Sequence, residues 1–472
     1  MRDEPQPGPY RKDYRPDPRI AALAEWLGDP VAAADFPETR LRFRNRTHAK
    51  TVGLDGLSEA EWIAHFGRFA PLPGNLPQPL ALRYHGHQFR VYNPEIGDGR
   101  GFLFAQLRDN RERLLDLGTK GSGQTPWSRQ GDGRLTLKGA VREILATAML
   151  EAQGVNTSKT FSVIETGEAL YRGDEPSPTR SAVLVRLSHS HVRIGSFQRL
   201  AALGERDHLA ELVDYCLENF PGSAEATELA EPGNRAALLL HQVVERLADL
   251  AASYMAAGFV HGVLNTDNMN VTGESFDYGP WRWLPGWNAE FTAAYFDHGG
   301  LYAFGRQPEA IHWNCGQLAI ALRQLSEAPP LVAALERFPE LYRANLNRRF
   351  CWRLGVVPRG DEPDTVLIAA SERVMRETGM AVDAFFFAHR GGRDAPPELR
   401  NALEAYTPVS SAHSYWSDPA PQAMPIDEVE AIWAAIDRDD DWAPLEAKLT
   451  ALERMGEALG EPPVAAGHAV RE

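Results

Sequence analysis

At 472 residues the chain exceeds one ordinary domain, since about 150 residues per domain leads to an expectation of two or three units. Its 43% hydrophobic and 24% charged residues suit a globular protein with a large core, while a formal net charge of -15 argues against sequence-independent binding to nucleic acid, which needs a basic surface. No stretch reaches the roughly 18 apolar residues of a membrane-spanning helix. The polar, Pro-rich start "MRDEPQPGPYRKDYRPDPR" lacks the apolar core of a secretory signal, and its acidic residues argue against a transit peptide. Cys216, Cys315 and Cys351 are too scattered for a disulfide framework or a CxxC metal site, and a cytoplasmic location is expected.

Residues 1–45 read as an extended N-terminal arm leading into the Arg-rich segment "RLRFRNRTH". Between 88 and 118, short apolar runs broken by Gly predict strands joined by tight turns, and "RLLDLGTK" follows as another strand. After the Gly/Ser-rich "GSGQTPWSRQGDGR" comes a helical stretch in which Leu137, Val141, Ile144, Leu145 and Ala148 recur at helical spacing, with Gly154 as its stop. "TFSVIE" and "SAVLVRLS" read as strands. Beyond about 200 the texture turns helical. Leu240, Val243, Val244, Leu247, Leu250 and Tyr254 mark a buried helix that Gly258 ends, and "QLAIALRQL" and "VEAIWAAI" continue the pattern. "DRDDDW" reads as a solvated face or turn, and no internal repeat is visible.

Several constellations could carry chemistry. "IGDGRGF" (96–102) places glycines at 97, 99 and 101, which would let backbone amides approach phosphates, although a Gly-rich hairpin turn is the commoner cause of such a run. Lys120 ends a strand, and Glu143 lies 23 residues later at the edge of the helical apolar face. That is the pairing by which kinases hold a phosphate lysine. "FVHGVLNTDNMNV" (259–271) can be laid over the kinase loop H-R-D-L-x-x-x-N, with His261 on the His and Asn268 on the Asn. Val263 then takes the position of the base, and a valine accepts no proton. Asp267, beside Asn268, is the candidate base.

Asn268 and Asp277 are nine residues apart, and each offers one oxygen to a hard cation such as Mg²⁺. Asp277-Tyr278-Gly279 is a variant of D-F-G. Each feature alone has a plain structural explanation; all of them in kinase order do not fit chance well. Arg186 and Arg193 add two cations with phosphate-matching geometry. The H-x-H pairs His85/His87 and His189/His191 lack an obvious third ligand and read as structural polar residues.

Together "GHQF", "IGDGRG", "TKGSGQTPWSRQGDGR", "VREIL", "SHVRIGSFQ", "GVLNTDNMNV" and "DYGPW" resemble the selenoprotein O family (SelO, also YdiU), most densely from about 84 to 320. The resemblance implies a pseudokinase fold that transfers AMP from ATP to protein hydroxyls, with ATP inverted so that its α-phosphate lies at the reacting position. It implies nucleotide contacts at Gly97, Gly99, Arg100, Asp132 and Gly133, a phosphate lysine at Lys120 with Glu143 as its acid, and phosphate arginines at Arg186 and Arg193. It implies Asp267 as proton acceptor and Asn268 and Asp277 as Mg²⁺ ligands, Asp277 also serving the nucleotide site. The chain departs from the family pattern at "HGHQFR", at Phe296 where many members carry a Cys, and at "SDPAPQAMPIDEVE". Its end, "AAGHAVRE", lacks the Cys or selenocysteine of some members, so redox switching of that kind is not expected.

The expected architecture is α+β and kinase-like in two lobes: the arm (1–45), a strand-rich N-lobe (46–200) and a larger helical C-lobe (201–472). The expected function is a protein adenylyltransferase that modifies Ser, Thr or Tyr, using ATP and Mg²⁺, with Mn²⁺ the other candidate ion. The expected partners are proteins, with no nucleic acid or membrane. A non-catalytic ATP-binding scaffold is the alternative, and a true kinase comes third.

Overall fold

The computed structural model describes residues 10–173 and 175–463; the first nine residues, Asp174 and the terminal "VAAGHAVRE" lie outside the described residues. The chain is α+β. It divides into unit 1 (Met1–Ile144, Ser158–Pro221 and Asn270–Glu274) and unit 2 (Leu145–Thr157, Gly222–Met269 and Ser275–Glu472). Among the described residues no helix is long and apolar enough to cross a membrane.

In chain order the strands are β1 (Gly28–Pro30), β2 (Arg40–Arg44), β3 (Leu80–Leu82), β4 (Gly86–Gln88), β5 (Val91–Asn93), β6 (Leu103–Arg108), β7 (Leu114–Lys120), β8 (Leu135–Thr136), β9 (Lys159–Leu170), β10 (Thr179–Ser188), β11 (Phe259–Val260) and β12 (Arg282–Trp283). Unit 1 is built on an eight-stranded sheet in the order β1-β3-β6-β7-β10-β9-β2, with β8 also paired to β10. Each of these pairings is antiparallel. The stretch expected as an extended arm thus supplies β1 and β2. The Arg-rich run has a place in the sheet because Arg42 donates to Glu165 on β9 at 2.6 Å, while Arg180 on β10 holds the other carboxylate oxygen at 2.7 Å.

Side chains alternate across a strand, so a two-sided sheet needs two kinds of residue in register. Leu115, Leu117, Val183, Val185 and Leu187 face a core shared with Trp62, Phe66, Phe161 and Ile164. The intervening residues Asp116, Gly118 and Lys120 of β7 stand opposite Ser188, Arg186 and Leu184 of β10. A register shift between Leu103 and Ala105 lets Phe102, Phe104, Ala105 and Leu107 all join the same core. β4 and β5 form a separate hairpin.

The helix Leu137–Ala152 follows β8 directly. Its Val141, Ile144 and Leu145 are buried as expected, but Ala148 is only half-buried. Glu143, expected at the edge of the apolar face, is fully buried. In unit 2 the helix Arg235–Ala257 is capped by the Asn234 side chain, which accepts from the Ala237 amide at 3.1 Å, and ends at Gly258 with φ 67°. It is apolar on nearly every side because it packs on the helices Gln307–Leu322 and Phe338–Leu354. Arg349 pins the second of these by a two-pronged bond to Asp249 (2.8 and 2.6 Å). A second core gathers Val260, Phe304, Phe350, Leu354, Val382 and Phe385.

Asn234→Ala removes the cap and is expected to cost about 1 kcal/mol, read as a lower denaturant midpoint; an unchanged midpoint contradicts the capping role.

Candidate functional site

In unit 1, polar side chains gather on β7 and β10. Lys120, only 6% exposed, places its Nζ 2.6 Å from Glu143 Oε2. Arg186 brings Nη1 to 3.9 Å from the other carboxylate oxygen. A buried charge persists only when paired, so the strand lysine and helix acid expected from their 23-residue spacing hold one another. Arg193, 2% exposed, lies 4.3 Å over the Tyr84 ring and donates to Asp98 Oδ1 at 3.2 Å. Asp98 also accepts from the Leu82 amide through Oδ2 at 3.1 Å, so it ties Arg193 to the glycine loop.

That loop is not a hairpin turn, because β5 pairs with β4 while β6 pairs with β3 and β7. A Cβ on Gly97 would lie 2.5 Å from Trp127 Cγ, and one on Gly99 would lie 2.9 Å from the Trp127 carbonyl. The glycines therefore admit the following loop (121–134) at close range. That loop bonds back at several points: Thr125 Oγ1 to the Asp98 carbonyl (2.6 Å), the Gly121 amide to the Arg100 carbonyl (2.6 Å), and Ser128 Oγ to the Gly99 carbonyl. The Arg100 side chain is exposed. Asp132 sits at the far end of this loop, held by Arg172 at 2.8 Å; burial pushes its pKa up, but Arg172 and the Arg134 amide bring it below the ordinary carboxylate value. The Gly133 carbonyl accepts from the Gly123 amide at 3.1 Å.

In unit 2, "HGVLNTDN" is held chiefly through its backbone. Gln307 accepts from the His261 amide at 3.0 Å and donates to the Phe259 carbonyl at 2.8 Å, and Asn314 donates to the Leu264 carbonyl at 2.8 Å. Tyr302 donates to Asn265 Oδ1 at 2.7 Å. Asp267 is buried within the 3₁₀ turn Thr266–Asn268. Asn268 is half-buried, and its Nδ2 donates to the Val263 carbonyl at 2.9 Å, which leaves its Oδ1 as the side-chain atom able to bind a cation. Asp277 is half-buried and has φ 60°, a conformation that costs free energy outside glycine and persists where neighbours enforce it. The neighbours do: His261 Nε2 donates to the Phe276 carbonyl at 3.0 Å, and the Tyr278 hydroxyl is bonded to Ser275 Oγ (2.8 Å) and Thr157 Oγ1 (2.5 Å). Among the described residues no group of three or more His, Cys, Asp or Glu could hold a metal; an amide oxygen and one carboxylate suit a cation that keeps most of its own water or substrate ligands.

The histidine pairs contact protein groups. His85 meets the Tyr92 hydroxyl at 2.6 Å, His87 accepts from Gln198 at 2.7 Å, and His191 is buried beside Asp116. Cys216, Cys315 and Cys351 are buried and in no disulfide.

The profile of the family described as "Protein adenylyltransferase SelO" matches residues 11–401. The chain belongs to the SelO family. It is similar to a "Protein nucleotidyltransferase YdiU" of Gloeobacter violaceus, 43% identical over 461 residues, covering 92% of this chain and 93% of the relative. It is also similar to proteins of that name from Synechococcus elongatus (39% over 486 residues, 94% and 96%) and Pseudomonas paraeruginosa (40% over 407 residues, 85% and 80%). As a SelO-family member it is an enzyme of the nucleotidyltransferase class and takes a nucleotide substrate. The divergent "SDPAPQAMPIDEVE" falls beyond the span matched to the SelO profile.

Sequence reasoning passed over four supporting residues. Asp98 lay inside the glycine run but was overshadowed by its glycines. Gln307 and Asn314 bind backbone from a distant helix, and nothing in local spacing signals that. Asp116 gave a signal, an acid in an otherwise apolar strand.

Glu143→Ala would leave Lys120 and Arg186 facing each other in the core. It is expected to cost about 3 kcal/mol of stability, and a Lys120→Met, Glu143→Leu double variant should recover most of it in chemical denaturation. Equal stability of Glu143→Ala and the native chain would show that the pair holds nothing.

Proposed function

We propose that this enzyme transfers AMP from ATP to Ser, Thr or Tyr hydroxyls of other proteins, on a kinase-like two-lobed scaffold. The reading is carried by one observation: the kinase-ordered set is intact from Lys120 through Asn268 and Asp277, yet Val263 stands where a kinase keeps its base. The base is then Asp267, four residues on, buried in its turn. In this reaction the substrate hydroxyl oxygen bonds to the α-phosphorus, the bond from that phosphorus to the β-phosphate bridging oxygen breaks, and pyrophosphate leaves with the electron pair. The hydroxyl proton passes to an Asp267 carboxylate oxygen.

Such a transfer depends on position and charge neutralisation more than on covalent help. Lys120, Arg186 and Arg193 are assigned to the phosphates, with Glu143 fixing the lysine. Gly97, Gly99, Arg100, Asp132 and Gly133 are assigned to the nucleotide. Asn268 Oδ1 and the Asp277 carboxylate would hold Mg²⁺, which when bound supplies charge neutralisation at the phosphates. The relatives' printed names support a protein as the acceptor.

Incubation with α-labelled and γ-labelled ATP tests the reading. Label on acceptor protein is expected from the α position; label from γ alone restores a kinase. Asp267→Asn should lower transfer by about 10²–10³-fold, in the range of a lost general base. Asp277→Ala should abolish it. The second reading, a non-catalytic nucleotide-binding scaffold, is favoured by Val263 alone; it predicts ATP binding with no label transferred from either position.

A further inference from the structure

We propose that His191 is a positioning residue for Arg186, with Asp116 fixing the imidazole in turn. The inference rests on the assignment of Arg186 to the nucleotide phosphates. His191 lies three residues past β10, and its ring lies against β7 at Gly118. A Cβ added to Gly118 would sit 2.1 Å from His191 Nε2, so the bare backbone there makes room for the ring. Gly118 is the cross-strand partner of Arg186, so ring and guanidinium meet on the polar face of the sheet.

Arg186 Nε lies 3.1 Å from His191 Nε2. An arginine nitrogen only donates, so Nε2 is the lone-pair acceptor and the ring proton sits on Nδ1. Nδ1 lies 3.2 Å from Asp116 Oδ2, which also accepts the His191 backbone amide at 2.8 Å. The carboxylate is itself held, because Gln106 Nε2 donates to its Oδ1 at 2.7 Å. The Ile20 amide fixes the far end of that glutamine by donating to Oε1 at 2.7 Å. Burial, joined by the nearby Arg186 and Arg193, keeps the imidazole pKa below its ordinary value, against the opposing pull of Asp116.

The consequence is directional. Two-pronged recognition of phosphate depends on the plane of the guanidinium, and this chain sets the plane from its Nε edge. Every member of the chain is buried, so none of the bonds competes with bulk water.

The test compares ATP and adenosine binding by calorimetry on the full-length protein, since adenosine has no phosphate for Arg186 to meet. His191→Gln keeps an acceptor near the Nε2 position; His191→Asn keeps a group near Nδ1 and loses that acceptor. His191→Asn is expected to weaken ATP about tenfold, the scale of one charge-assisted hydrogen bond, with adenosine unchanged; His191→Gln should stay within about threefold of the native chain. Equal weakening of both ligands, or native ATP affinity in His191→Asn, overturns the proposal. Should His191→Asn not fold, Asp116→Asn takes its place. An amide there can donate to Nδ1 and turn an N–H toward Arg186, so the same selective loss of ATP supports the proposal and an equal loss of both ligands overturns it. Native protein that binds ATP but transfers no AMP overturns the transfer reading and leaves this assignment standing. Native protein that binds no ATP overturns both.

Discussion

Unit 1 is organised around a lysine that must stay charged where water does not reach. Lys120 closes β7 inside the protein, and an ammonium there requires a carboxylate in contact. Glu143 can supply it only from a helix packed on the polar face of the sheet, which is why the middle of that helix is buried all round. Arg186 shares the same carboxylate, so two buried cations depend on one acid. Removing either partner strands the other.

In unit 2 the loop 261–268 is pinned chiefly through its main chain. Gln307 and Asn314 hold its carbonyls and amides from a neighbouring helix. Val263 still contributes through its carbonyl, which fixes the amide of Asn268. Valine at 263 costs the loop none of these bonds, because they run through its main chain. Asp277 shows the complementary logic: its left-handed backbone is enforced by a buried hydroxyl cluster and by His261 on either side.

The sequence made the periodic elements plain. Alternation along "LLDLGTK" and "SAVLVRLS" signalled strands, and the 3.6-residue recurrence ending at Gly258 signalled the long helix. The Lys120–Glu143 pair was legible because strand end and helix centre are both local patterns. What stayed hidden depends on tertiary packing. The N-terminal segment was taken for an arm because β1 and β2 are short and polar, and their partners lie far along the chain. The glycines at 97 and 99 read most simply as a hairpin turn, and local spacing could not show that the Trp127 loop packs against them. His191 read as a structural polar residue, and spacing reveals neither the bare backbone at Gly118 nor the acid at 116.

The division of the chain bears on its biosynthesis. Unit 1 takes its last piece, Asn270–Glu274, from the middle of sequence that otherwise belongs to unit 2. There Val271 bonds back to Val192, and the Glu274 carboxylate accepts the His189 amide at 2.9 Å. A ribosome-bound chain therefore cannot complete unit 1 until more than half the polypeptide has emerged. Neither unit is a contiguous fragment that a protease or a gene truncation could release intact.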